Sequence, residues 1–320
     1  MLRRLWHRIF VGWYYWVNTA LTWGSFWRFL RTIFLSFGSL WLVIKASSFL
    51  DKSGNLKEVY QDYWWVLLLT SVVIAIFRVW PKIRFSCRLR SRDVKVEIVI
   101  GDIFREAGTF IIPTNTTFDT DTDKTKDIIS PNSIQGQYSS KYYKTLQHLD
   151  ADIEAELAQF GQGEQLEGDR KGKSLRYDIG STVKLLPNQK GEAYMVAIAH
   201  MNAHGTANSN FENILAALPR MWSHIIDRGG MNDLIIPVVG SGFSRLKETQ
   251  FEIIQEIIRS FIVACSSDKF CSKLKIVIHP KDFKENELDI NELRSFLEAK
   301  CKWADYEESE SEEKIGKGIN

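Results

Sequence analysis

The sequence predicts two unlike parts: an N-terminal transmembrane helical hairpin, then a three-layer α/β/α domain with a mixed sheet. Three observations predict this. Charge divides the chain: residues 1–92 hold 14 Lys/Arg against 3 Asp/Glu, and residues 93–320 hold 27 against 36. Tryptophan divides it the same way, nine of the eleven lying at or before Trp80. From Val94 onward, short Val/Ile-rich runs alternate with helical windows, as strands covered on both faces by helices do. The averages, 45% hydrophobic and a net charge of +2, exclude a wholly disordered chain, a collagen-like chain and a channel made mostly of apolar spans.

The hairpin rests on two apolar stretches within 29–80. Tyr63 to Phe77 is free of charge, with Trp64, Trp65 and Trp80 at its ends where aromatic belts sit. Upstream, the thirteen uncharged residues from Thr32 to Ile44 are bounded by Arg31 and Lys45. They cross a bilayer only if Lys45 snorkels to the interface and residues 46–50 complete the length. The connector 51–62, with Gly54 and Asn55, suits a tight helical turn. Residues 1–28 read as an aromatic and basic interfacial helix. The nineteen uncharged residues 9–27 contain Gly12, Asn18 and Gly24, and their bulk is Trp and Tyr, which favour the headgroup boundary. No A-x-A-like site follows a compact apolar core, against a cleaved signal peptide.

Basic residues precede the hairpin (Arg3, Arg4, Arg8, Arg28, Arg31) and follow it (Arg78, Lys82, Arg84, Arg88, Arg90, Arg92). The positive-inside rule puts the N-terminus and the C-terminal domain in the cytoplasm, as a multi-pass protein. Residues 81–92 read as a basic juxtamembrane linker in contact with lipid rather than nucleic acid. Cys87, Cys265, Cys271 and Cys301 form no C-x-x-C pair, which suits reduced thiols, and no metal signature is present.

In the domain at 93–302 the strand candidates are 94–100, 110–114, 182–186, 193–200, 234–239 and 274–279. Ser209-x-x-Glu212 and Thr249-x-x-Glu252 read as capping boxes, and Gly229-Gly230 as the end of the first of these helices. Phe251, Ile254, Ile258, Phe261 and Ile262 make one apolar stripe for packing on a sheet. Asp289-x-x-Glu292 opens a last helix, and 303–320 reads as a solvated acidic tail.

Ligands of such domains bind at the carboxyl ends of strands. After 234–239 comes Gly240-Ser241-Gly242-Phe243-Ser244, whose glycines let backbone N–H groups reach phosphate oxygens. After 110–114 come Asn115, Thr116 and Thr117, able to hold a ribose hydroxyl or simply to make a turn. After 94–100 comes Gly101-Asp102-Ile103, where the carboxylate either accepts from an exocyclic amine or caps a helix.

Together and in this order, these loops resemble the macro domain, the ADP-ribose-binding module, over about residues 93–285. The resemblance implies adenine at Asp102 and Ile103, and the distal ribose at Ile112-Pro113-Thr114-Asn115 with Thr116. It implies diphosphate between Asn132-Ser133-Ile134-Gln135-Gly136-Gln137 and Gly240, Ser241, Gly242, Phe243 and Ser244. Ala199-His200 fits the family's interior strand. Hydrolytic members have a glycine-rich first loop and a further Asn before the matched one. Here that loop has only Gly136, and Ile112 stands at the Asn position, so an enzyme is not expected. Asp119, Asp121 and Asp123 are candidates for a base or a cation site, or a polar loop.

Two spans joined to such a domain resemble the membrane-anchored effectors of the Thoeris anti-phage system. That resemblance implies a bacterial inner-membrane protein with no cofactor, and a partner TIR-domain enzyme that makes histidine-ADP-ribose. It also implies self-association on binding and membrane damage that kills the cell. The alternatives are a membrane-tethered ADP-ribosyl hydrolase and a passive anchor for ADP-ribosylated partners. His148, His204 and His224 carry no tie to a ligand imidazole.

Overall fold

The structure, a computed structural model, describes residues 23–50, 63–79, 83–90, 92–123, 128–168, 170–187, 190–238, 249–267, 269–285 and 288–317. The chain forms two units, Met1–Ile83 and Arg84–Asn320.

In the N-terminal unit, helices α1 (Trp23–Leu50) and α2 (Trp64–Val79) pack against each other. Within α1, Phe26–Ser47 is a 22-residue stretch of mean hydropathy 1.5 with none of it buried. At about 1.5 Å per residue it is about 33 Å long, enough to cross a hydrocarbon core of about 30 Å. The apolar part of α2, Trp64–Arg78, is shorter. The sequence reads both stretches as spans; among the described residues only α1 is long and apolar enough to cross by length and composition. Arg31 and Lys45 lie within α1 and do not end it. Hydroxyl groups in both helices are satisfied locally. Ser36, Ser39 and Ser47 donate to Thr32, Leu35 and Val43 carbonyls at 2.7–2.8 Å, and Thr70 and Ser71 donate to Val66 and Leu67 at 2.7–2.8 Å. Such bonds let polar side chains sit on a helix without outside partners. Ser71 and Ala75, one turn apart on α2, are fully buried and small enough for a close helix approach. Residues 1–22 of the expected interfacial helix, the connector 51–62 and Trp80 lie outside the described residues; residues 23–28 are the first turns of α1.

The second unit contains strands β1 (Arg84–Leu89), β2 (Val94–Ile100), β3 (Thr109–Asn115), β4 (Glu164–Gln165), β5 (Leu175–Arg176), β6 (Thr182–Leu185), β7 (Ala193–Met201), β8 (Ala207–Asn208), β9 (Leu234–Pro237) and β10 (Lys273–Ile278). The main sheet runs β1-β2-β10-β9-β3-β7-β6, with β8 added to β7 and β4–β5 a separate pair. β1 and β6 are antiparallel to their neighbours, and the five strands between them are parallel. This is the expected mixed sheet. The parallel strands are largely buried on both faces, as strands covered by helices are, with Glu97 of β2 and Lys275 of β10 as buried charges. Phe110 and Ile112 join one core with Tyr138, Leu149 and Ile153 of α3 (Ile134–Tyr142) and α4 (Leu146–Leu157). Ile111 and Pro113 point the other way, towards Ile214, Leu218 and Ile257 of α5 (Phe211–Arg228) and α6 (Gln250–Ser267). Two further helices follow, α7 (Pro280–Glu285) and α8 (Ile290–Lys317).

Three local expectations change. Residues 84–89, expected within a linker, form the edge strand β1, where Arg84 bridges Glu97 at 3.2 Å and Glu106 at 2.6 Å. The stretch expected as an acidic tail continues α8 as helix to Lys317. Ser209 does not cap α5. Its hydroxyl donates to the Ile198 carbonyl at 2.7 Å, and Asn210, one residue later, accepts from Asn213 N–H at 2.8 Å. The helix still ends at Gly229 as expected.

The second capping box holds. Thr249 N–H donates to Glu252 Oε2 at 2.8 Å, and Glu252 N–H donates to Thr249 Oγ1 at 3.3 Å. Thr249→Ala removes the cap and should cost about 1 kcal/mol. A thermal melt should show a fall of about 2–4 °C in Tm.

Candidate functional site

Because β2, β10, β9, β3 and β7 are parallel, their carboxyl ends lie along one edge of the sheet. Asp102 follows β2 and Asn115 ends β3, three strands away. At about 4.8 Å per strand they stand about 14 Å apart across the edge.

Asn115 is the centre of a buried turn. β3 and β7 shift register between Thr114 and Asn115, so Asn115 pairs with Ala199. Its Oδ1 accepts from Thr117 N–H at 3.1 Å, Thr117 Oγ1–H at 3.0 Å and Asp119 N–H at 3.2 Å. Phe118, inside that turn, takes the left-handed conformation at φ 49° and is fully buried against Tyr177. The Asn115 side chain is thereby locked with its amide nitrogen outward from the turn. That Nδ2 is buried and has no hydrogen-bond partner. A buried donor left unsatisfied costs about 1–3 kcal/mol, and this amide is free to take an acceptor from outside the chain. Thr116 Oγ1 is likewise buried without a partner.

The start of α3 is tied to this turn. Gln135, 3% exposed, accepts from Thr114 Oγ1–H at 3.1 Å and donates through Nε2 to the Asp119 carbonyl at 2.6 Å. Ser133 caps α3, accepting from Gly136 N–H at 3.0 Å and donating to the Ser130 carbonyl at 2.6 Å. Gly136 is buried so close to Ser130 and Pro131 that a Cβ there would lie 2.9 Å from Pro131 Cα. Ile134 is half-buried and packs on the core, leaving backbone as what this loop presents.

At the other end of the edge, Asp102 caps a short 3-10 turn (Ile103–Arg105): its carboxylate accepts from Phe104 N–H at 3.0 Å and pairs with Arg105 at 3.4 Å. Ile103 points into the core at 7% exposed. Tyr142 at the end of α3 packs on Phe104 of that turn, ring centroids 6.3 Å apart, and burial, then the Asp102 charge, raises its hydroxyl above its ordinary value. Tyr138, fully buried on α3, donates to the Gly191 carbonyl at 2.8 Å, and burial raises its hydroxyl too. α3 therefore runs along the edge from the Asn115 turn towards Asp102. Gly240, Ser241, Gly242, Phe243 and Ser244 lie outside the described residues, after β9.

The acidic trio is not one cluster. Asp119 is 1% exposed and turned inward, accepting from Lys173 N–H at 2.6 Å and sharing with Asn115 Oδ1 the single proton of the Thr117 hydroxyl. Asp121 instead caps its own turn, accepting from Asp123 N–H at 2.9 Å. Among the described residues, no three His, Cys, Asp or Glu side chains group as a metal site. His148 contacts Thr145, His204 lies in the β7–β8 turn and His224 packs on Tyr194 and Phe160.

Sequence reasoning did not find the segment 170–173. Lys171 N–H donates to the Ala203 carbonyl at 3.0 Å and Lys173 Nζ pairs with Asp150 at 2.5 Å. Gly172 has φ 88°, and a Cβ on it would lie 2.9 Å from Asp119 Cγ. Gly172→Ala therefore combines a left-handed backbone with a clash. It should lower Tm by several degrees at about 2–4 °C per kcal/mol. Wild-type Tm in a thermal melt would show that Asp119 is not held by this segment.

A family model described as "Thoeris protein ThsA, Macro domain" matches residues 96–279. The curated Thoeris protein ThsA of Bacillus amyloliquefaciens (strain Y2) is 23% identical over 245 residues, covering 74% of this chain and 80% of the relative. Among solved structures, the Oceanobacillus iheyensis macrodomain with MES bound aligns at TM-score 0.45 and 11% identity, covering 68% of this chain and 98% of that one. The same macrodomain with ADP aligns at TM-score 0.41 and 12% identity, covering 64% and 94%. The match spans more than half the chain and includes Asp102, Asn115 and Gly136. The chain belongs to the ThsA macro-domain family.

Proposed function

We propose that this protein is an anti-phage defence effector of the Thoeris type, whose C-terminal domain binds an ADP-ribose-derived signal. One observation carries the binding reading: the preorganised, buried Asn115 amide, held by three hydrogen bonds to Oδ1 and unpartnered at Nδ2. A ribose hydroxyl is an acceptor of the right kind for it. Backbone N–H groups in the first turn of α3 (Ile134, Gln135), where Gly136 N–H is taken by the Ser133 hydroxyl, and those of Gly240–Phe243 would hold the diphosphate, and Asp102 and Ile103 the adenine. The ligand we assign, by family resemblance, is histidine-ADP-ribose made by a partner TIR-domain protein.

In this reading the ligand drives self-association of the C-terminal domains. That brings the apolar helices of several copies together in the bacterial inner membrane and disrupts the bilayer. Ligand binding does this only if the associated state binds the signal more tightly than the resting state. Both N-terminal helices cross the membrane, with the N-terminus and the macro domain cytoplasmic. The protein acts as a binding effector and not as a hydrolase. Ile112, where hydrolytic relatives carry a further Asn, is fully buried in the apolar core and offers nothing to position a water.

Calorimetric titration of the full chain in detergent micelles tests the reading. ADP-ribose and histidine-ADP-ribose should both bind at micromolar concentration or below, with no free ADP-ribose released from an ADP-ribosylated substrate. Absence of heat with either ligand overturns the binding assignment. Release of ADP-ribose supports a tethered hydrolase. Toxicity that survives replacement of residues 1–83 by an unrelated anchor supports a passive anchor.

A further inference from the structure

Gln135 stands among the residues that the family resemblance places on the diphosphate, yet its side chain is engaged within the chain. It is the second residue of α3 and 3% exposed. Its Oε1 accepts from the Thr114 hydroxyl at 3.1 Å, and its Nε2 donates to the Asp119 carbonyl at 2.6 Å. A carbonyl oxygen only accepts, so the partners fix which way the amide points. Both ends of the side chain thus grip the turn that carries Asn115: Thr114 precedes Asn115, and Asp119 N–H donates to Asn115 Oδ1 at 3.2 Å. Thr114, Asn115, Asp119 and Gln135 are each 5% exposed or less, so water does not compete for these bonds.

The backbone of Gln135 serves the other half of the ligand. Its N–H lies in the first turn of α3, where donors have no intrahelical acceptor. The next donor, Gly136 N–H, is taken by the Ser133 hydroxyl, and Gln137 N–H by the Ser133 carbonyl at 2.9 Å. Ile134 and Gln135 therefore hold the donors of this turn that a diphosphate can use. One residue thus joins the two subsites, with an N–H at the diphosphate and a side chain clamped to the ribose turn. A ligand anchored by its diphosphate meets the Asn115 amide as an intramolecular contact, and gains from it only where the spacing matches. Slack beyond about 0.5 Å is enough to lose such a fit.

We infer that Gln135 is a positioning residue: it sets the distance between the first turn of α3 and the Asn115 amide, and so selects ligands that carry both a diphosphate and a distal ribose, ADP-ribose over ADP. Its side chain does this through the Asn115 turn, without touching the ligand. This rests on the ADP-ribose reading above and deepens it.

The test is calorimetry on the full chain in detergent with two probes, ADP-ribose and ADP, which lacks the distal ribose. Wild type should bind ADP-ribose about tenfold or more tightly than ADP, a ratio that measures the ribose contact. Gln135→Met keeps the length and the helix propensity of the side chain but makes neither bond, and should bring that ratio to within about twofold of unity. Combined with Asn115→Ala it should cost ADP-ribose no more than the larger single loss, because the two residues act through one chain of bonds. A tie that only stabilises the fold would lower Tm and leave the ratio as in wild type, and that result overturns the inference. So do additive losses in the double variant. Should Gln135→Met fail to fold, Thr114→Val removes one of the two bonds and should cut the ratio by about threefold. An unchanged ratio there overturns the inference as well. Wild type that fails to bind ADP-ribose, or binds it no better than ADP, is a separate result, and refutes the ribose assignment beneath.

Discussion

Gly136→Val should weaken ADP-ribose binding about tenfold or more and destabilise the domain by about 1–3 kcal/mol, the cost of overpacking a filled site. The reason is backbone. The nearest atoms to a Cβ at Gly136 are the Ser130 carbonyl oxygen, Pro131 Cα at 2.9 Å and Pro131 C at 3.1 Å. A side chain can swing away from a new methyl group, but these atoms cannot move without shifting the 130–133 segment. That segment holds the cap of α3 through the Ser133 hydroxyl, which bonds both Gly136 N–H and the Ser130 carbonyl. Displacing it turns aside the N–H groups assigned to the diphosphate and loosens Gln135, which ties α3 to Thr114 and Asp119. Ser133→Ala is the control. It removes the cap, worth about 1 kcal/mol, without inserting bulk. Melting and titration of the two variants side by side separate the effects. A Gly136→Val protein that binds as wild type would move the diphosphate elsewhere.

Much of the sheet was legible because its central strands are covered twice. Runs such as residues 193–199 and 234–237 are short, apolar throughout and rich in Val and Ile, which marks a strand buried on both faces. β1 was hidden for the opposite reason. It lies at the edge, where Arg84 and Arg88 alternate with Phe85, Cys87 and Leu89, and the charges drew the reading towards a linker. The acidic end of α8 misled in a related way. Glu and Lys are good helix formers, so charge there does not oppose helix. Asn115 stood out as the polar residue ending an apolar strand. Asp119 is legible only as one of a polar trio, and the 170–173 segment not at all, because their surroundings are made by residues far away in sequence: Lys173, 54 positions on, fixes the Asp119 carboxylate. Spacing reveals neighbours on one element, not on loops that meet at a sheet edge.

The largest effect should come from Asn115→Ala, through two separable losses. The first is structural. Oδ1 holds Thr117 N–H, the Thr117 hydroxyl and Asp119 N–H, all buried. Alanine leaves two backbone donors without an acceptor, at about 1–3 kcal/mol for each unsatisfied group. Phe118 is then held at φ 49° by a turn that has lost its centre. The second loss is the ligand's. With Nδ2 gone, the distal ribose loses the donor assigned to it, and ADP-ribose affinity should fall about tenfold or more. Thr117→Val tells the two apart. It removes the hydroxyl bonds to Asn115 and Asp119 but keeps the Thr117 N–H bond and the free amide. That variant should melt lower than wild type yet bind ADP-ribose within a few-fold. If Thr117→Val loses binding as fully as Asn115→Ala, the turn acts only as scaffold. If Asn115→Ala loses stability but keeps its affinity, the unpartnered amide does not face the ribose, and the assignment of this edge as the ADP-ribose site fails at its central residue.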